Sequence, residues 1–104
     1  MHLIEIFLPL ADNQGHEQPS ALFDQVRQEL AERYGGLTAF TRSPAKGLWQ
    51  GDDNQRQQDD IVIYEVMSDS LDRGWWRAYK VDLERRFKQQ EIVIRVHQVE
   101  MIGQ

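Results

Sequence analysis

Ionisable side chains recur inside the most apolar runs of this chain: Glu5 in LIEIFL, Glu65 in IVIYEV, Arg95 and His97 in IVIRVHQV, and Arg42 at the end of LTAFTR. Brought together, such a set has a definite chemistry. An arginine grips an anionic or enolisable ligand through paired N–H donors. A glutamate or histidine in a partly dry setting moves a proton. Glu65 and His97 are the expected catalytic, proton-moving residues, and Arg42, Arg95 and Glu5 the expected ligand-binding ones. The plainer alternative is a ladder of cross-strand ion pairs, each contributing about 0.2–1 kcal/mol when partly exposed. Structural ion pairs of that kind perturb charged groups without catalysing anything.

Other chemistries fare worse. The chain has no cysteine, which removes disulfides, thiolate metal sites and cysteine nucleophiles together. His2, His16 and His97 share no ligand spacing, and Asp52, Asp53, Asp59 and Asp60 lack the alternating ligand loop with a central glycine, so no metal and no cofactor is expected. Gly35-Gly36 precedes a strand rather than following one, which suits a helix stop and not a phosphate loop. Nothing places a serine on a nucleophile elbow. The formal charge of −5 argues against nucleic acid, whose binders carry a basic face. HLIEIFLPL is short, carries Glu5 at its centre and lacks a basic leader, so neither a signal peptide nor a membrane span is expected, and a cytoplasmic protein is.

The elements that must position these residues follow from periodicity. Residues 3–10 alternate up to Pro9 as a strand. Behind Pro19, Ser20 reads as the N-cap of a helix over 21–34, with Leu22, Phe23, Val26, Leu30 and Tyr34 on one arc. Residues 37–42 form the second strand, kinked or bulged near Pro44, and 60–67 the third. Ser68 to Ser70 offer caps for a second helix that runs to about Gln90, and the last strand lies in EIVIRVHQVEM. The order β-α-β-β-α-β over 1–104 predicts a single α+β domain. Its economical form is a ferredoxin-like sandwich, a four-stranded antiparallel sheet with both helices on one face. The first and third strands are expected at its centre, as a parallel pair, flanked by the fourth and second.

The adjacent Trp75 and Trp76 separate on a helical wheel. Trp76, Tyr79, Leu83 and Phe87 make a core stripe, while Trp75 is a shoulder residue beside a solvated basic face of Arg73, Arg77, Lys80 and Lys88 around Glu84. The most aliphatic set of each strand is expected to face the helices: Ile4, Ile6, Leu8; Leu37, Ala39; Val62, Tyr64, Val66; Ile92, Ile94, Val96. The other set forms the open face, where the charged residues sit among Phe7, Phe40, Ile63 and Val93. Such a face is too apolar for water and is expected to be an interface, most simply with a second copy across a two-fold axis. The connection over about 43–59 is long for a hairpin, and Leu48 and Trp49 form an apolar island in it; Trp49 is expected to cover the mouth of an open-face pocket.

The strand–helix order and half-polar open face resemble the small dimeric α+β barrel proteins. That group includes antibiotic-biosynthesis-type monooxygenases, muconolactone-isomerase-like enzymes and many small bacterial proteins without an assigned activity, and this chain is similar to the last of these. The resemblance covers the whole chain as an architecture, carries no catalytic motif, and implies a homodimer whose open faces enclose a pocket. His2, rather than a proline, stands near the start, which sets the chain apart from the proline-dependent tautomerases. RNA-recognition domains share the strand order and stack bases on open-face aromatics. Here the third strand reads DDIVIYEV, not a basic-glycine-aromatic run, and Glu5 and Glu65 repel phosphate. The expectation is a homodimer that binds or transforms a small anionic molecule at the open face. The alternative is a non-catalytic protein–protein interaction module using the same face.

Overall fold

The computed structural model describes residues 1–35, 38–44 and 60–103, with the backbone alone for 38–44 and 60. Its elements, in chain order, are β1 (His2–Pro9), α1 (Ser20–Tyr34), β2 (Thr38–Pro44), β3 (Asp60–Ser68), α2 (Arg73–Arg86) and β4 (Ile94–Gln98). The fold is α+β: an antiparallel sheet with two helices, in the strand order β2-β3-β1-β4. The central pair, β1 and β3, runs antiparallel, from His2 opposite Ser68 to Pro9 opposite Ile61. The parallel arrangement expected from the sequence is therefore wrong. β2 leaves α1 running in the same sense as β1, and β3, inserted between them and antiparallel to β2, opposes β1 as well.

Alternation in β1 sends Ile4, Ile6 and Leu8 to the helices, where each is fully buried. Tyr64 and Val66 of β3 and Ile92 ahead of β4 join them. The helices contribute Phe23, Val26 and Leu30 from α1, and Trp76, Tyr79, Leu83 and Phe87 from the α2 region. These spacings of three and four residues are the ones that keep side chains on a single helical stripe. The rings of Phe23 and Phe87 meet edge to face at 5.3 Å, tying the two helices together at one end. At the other end Trp76 stacks on Tyr34 at 5.7 Å, and Trp75 closes over Tyr79 at 4.7 Å with the Arg33 guanidinium 4.2 Å above its indole. The shoulder tryptophan thus caps the core.

Several ends differ from expectation. Ser20 makes no capping hydrogen bond, and Pro19 occupies the N-cap position. At α2 the cap is Asp72, whose carboxylate accepts from Trp75 N at 3.0 Å; Ser68 instead donates its hydroxyl to Ser70 O. Aspartate and serine cap about equally well, and it is Asp72, not Ser68 or Ser70, that stands directly before the helix. Gly35, at φ 76°, ends α1 as the glycine pair foretold, its N–H reaching Ala31 O at 2.7 Å. α2 stops at Arg86, and Lys88 in the following turn has φ 55°. β4 is short because Glu91 to Val93 leave the regular ladder, although Phe7 N still donates to Val93 O at 3.0 Å. Among the described residues no helix is long and apolar enough to cross a membrane.

Candidate functional site

β1 and β3 place Glu5 and Glu65 directly opposite each other, and β1 and β4 place Glu5 opposite Arg95. Thr38 stands opposite Glu65 from β2. The open face therefore carries one cross-strand row, Thr38–Glu65–Glu5–Arg95. His97, opposite Leu3 in the register, reaches diagonally into it.

Within this row Glu5 is the hub. Its side chain is only 16% exposed, and its Oε1 lies 2.9 Å from His97 Nε2 and 3.2 Å from Arg95 Nη2. Arg95 Nε donates to the same oxygen at 3.3 Å. Both partners are about half exposed, so their outer edges stay open to solvent or a ligand. The Arg95 guanidinium also lies 4.9 Å from the centre of the Phe7 ring. Glu65 is half-buried, and its pKa is pushed above the ordinary glutamate value by burial and then by the Glu5 carboxylate, against a smaller opposing pull from His97.

Beside the polar row lies an apolar end. Phe7 and Ile61 are buried within the single chain, with Ile63 and Val93 half-buried against them. Phe40 stands opposite Ile63 in the β2–β3 register, continuing that row across the sheet. Met67, at the polar end opposite Leu3, is 44% exposed. The face expected to be uniformly half-apolar is thus divided into a closed apolar end and an open charged end.

One sequence expectation about this site fails. Arg42 was expected beyond Glu65 as its counter-charge, but the β2–β3 pairing shifts between Phe40 and Ser43, so that Thr41 and Arg42 together oppose Val62. The residue opposite Glu65 in the pairing is Thr38. Leu48 and Trp49 lie outside the described residues. Of the residues singled out from the sequence, the structure brings together Glu5, Glu65, Arg95 and His97, with Phe7, Ile63 and Val93 adjoining. The like-charge opposition of Glu5 and Glu65 was not foreseen, because register across a long connection leaves no local signal. Among the described residues no group of three or more carboxylate and imidazole side chains is disposed to hold a metal ion.

A second charged system sits on the helix side. Tyr79 donates its hydroxyl to Glu29 Oε1 at 2.8 Å, and Arg86 bridges Glu29 and Asp82 at 2.9 and 2.6 Å. Burial, reinforced by the Glu29 hydrogen bond, pushes the Tyr79 phenol far up, so it is always a donor here. This network joins α1 to α2 and is fully matched, which marks it as structural.

No protein-family model matches the chain, and no curated protein matches it. Among solved structures, a phage SAM lyase in complex with S-methyl-5′-thioadenosine matches with a TM-score of 0.56 and 14% identity, over 93% of this chain and 80% of that one. At that identity the match establishes a shared small α+β fold.

Proposed function

We propose that this chain is a cytoplasmic, homodimeric domain of ferredoxin-like topology, akin to the dimeric α+β barrel proteins, that binds and transforms a small organic molecule on the open face of its sheet. The observation that supports this reading is the pair Glu65–Glu5 at the sheet centre, Glu65 raised in pKa by burial and by the Glu5 carboxylate, and Glu5 paired with Arg95 and His97. A carboxyl raised in this way beside charged neighbours is a candidate for proton transfer. Glu65 gives or takes the proton, Glu5 fixes the orientation of its two partners, and the exposed edges of Arg95 and His97 receive the ligand's anionic or electron-rich group. All of these roles fall to protein side chains.

The test is an amide-resolved NMR titration with pyruvate, as a small enolisable anion, and with S-methyl-5′-thioadenosine, the compound bound by the fold neighbour. Saturable shifts at residues 3–7, 61–65 and 93–97, weakened in Glu65→Gln and Arg95→Ala, support the reading. No saturable change on that face with either compound overturns it.

The apolar end favours a second reading, an interaction module without chemistry. Ile63 and Val93 remain half-buried beside the sealed Phe7 and Ile61, and a partner surface completes their burial. Under that reading the charged row only fixes the register of the partner.

A further inference from the structure

On the side of the sheet away from the charged row, α2 does not fully cover β4. Val96 and Ile94 belong to the helix-facing set, yet Val96 is 39% exposed and Ile94 half-buried. A groove of about 150 Å³ runs between them and the flank of α2. Its floor is Leu71, Ile94, Val96 and Trp76, and its rim is Arg73, Arg77 and Lys80. A space of that size holds a benzene-sized group.

The charge of the rim points to an anion. Arg73 and Arg77 are one helical turn apart, where like charges repel each other, and neither has an ion-pair or hydrogen-bond partner among the described residues. Lys80 is committed elsewhere, to Glu84 and Glu91, which leaves the two arginines as the available charges. An acidic chain that nevertheless gathers free guanidinium groups over an apolar floor presents local charge opposite to its own.

We infer that the α2–β4 groove is a binding site for a small amphiphilic organic anion, an aromatic or short branched aliphatic group bearing a carboxylate or phosphate. The apolar body lies on Leu71, Ile94 and Val96, and the anionic head sits between Arg73 and Arg77. This site is separate from the open-face row and stands or falls independently of it.

Benzoate and phenyl phosphate are the probes, titrated into isotope-labelled protein while the indole N–H of Trp76 and the amides of 71–80 and 94–96 are followed. Saturable shifts confined to this set are expected. The double substitution Arg73→Gln/Arg77→Gln removes exposed charges, so the fold is retained and its spectrum shows it. Binding to it should weaken roughly tenfold, two partly exposed ion pairs being lost. Benzene-like neutral probes such as benzyl alcohol should bind the parent and the variant alike. Unchanged affinity in the variant, shifts only on the open face, or no saturable shift with either anion at any of these residues overturns the inference. A preference between the two anions decides whether the head group is carboxylate or phosphate.

Discussion

The two faces of the same four strands solve opposite problems. Toward the helices, alternate residues such as Ile4, Ile6, Leu8 and Val66 lie in a core that holds no buried charged group among the described residues. Toward the open side, the residues between them include Glu5, Glu65, Arg95 and His97, a half-buried charged row that helps no core to form. Moving one position along β1, from Ile4 to Glu5 to Ile6, crosses from one regime to the other and back. A sheet that needed only to fold would carry neutral polar residues on its outer face. Concentrating like charges at the centre, where Glu5 opposes Glu65, works against stability, and such local conflicts are where function is to be sought.

The comparison breaks hardest on the helix side. Phe87 is fully buried and holds Phe23 edge to face, so Phe87→Ala should cost about 3–5 kcal/mol, read as a shift in the denaturant midpoint. A loss under about 1 kcal/mol would mean that the core is not organised around that contact. On the open side, Ile63→Asp should barely touch the fold, since Ile63 is only half-buried. It should instead move the solution mass from dimer to monomer across a light-scattering concentration series. A parent protein that is monomeric at every concentration removes the self-paired face, and with it the shared pocket.

The core was legible in the sequence because it rests on local periodicity. Ile4, Ile6 and Leu8 at period two and Trp76, Tyr79, Leu83 and Phe87 at three and four announce their faces without knowledge of any neighbour. The charged residues of the open face were legible individually for the same reason. What escaped was everything that depends on pairing: the antiparallel sense of β1 and β3, the confrontation of Glu5 with Glu65, and the register shift between Phe40 and Ser43 that sets Thr38 opposite Glu65. Register is a property of two strands, and the connection between β2 and β3 is too long to impose it through a tight turn. The α2–β4 groove escaped too, because Arg73 and Arg77 read from the sequence as an ordinary solvated helix face, and only the position of β4 turns that face into a rim.

A smaller effect tests how the helix side holds the edge of the sheet. Glu84 accepts from Ile92 N at 3.0 Å and pairs with Lys80, fastening the end of α2 to the start of the last strand. The Lys80 hydrogen bond, then that of Ile92, holds the Glu84 carboxyl below the ordinary range. Glu84→Ala should cost about 1–3 kcal/mol near neutral pH, the range for a hydrogen bond to a charged group. Because the folded pKa lies below the unfolded one, that contribution is present above about pH 4.3 and fades as the pH falls through the folded value. Parent and variant melting temperatures should therefore converge in acid.

Glu65 should show the opposite sign, which is the sharpest way to set the two faces apart. Its folded pKa is raised, by burial and then by Glu5, so folding favours the protonated form and ionisation works against the native state. That penalty is absent below the unfolded pKa, near 4.3 for a model glutamate, and grows as the pH rises through the folded value. Glu65→Gln imitates the protonated carboxyl at every pH. The variant should be more stable than the parent at pH 7–8, by up to about 1 kcal/mol for a like-charge pair facing across strands, with solvent screening holding it toward the lower end. The gain should vanish by about pH 4. Melting temperatures of the two proteins across that range are enough to see it. A variant that is instead less stable at neutral pH would show Glu65 to be a satisfied structural anion like Glu84, and the proton-transfer role at the open face would have lost its candidate.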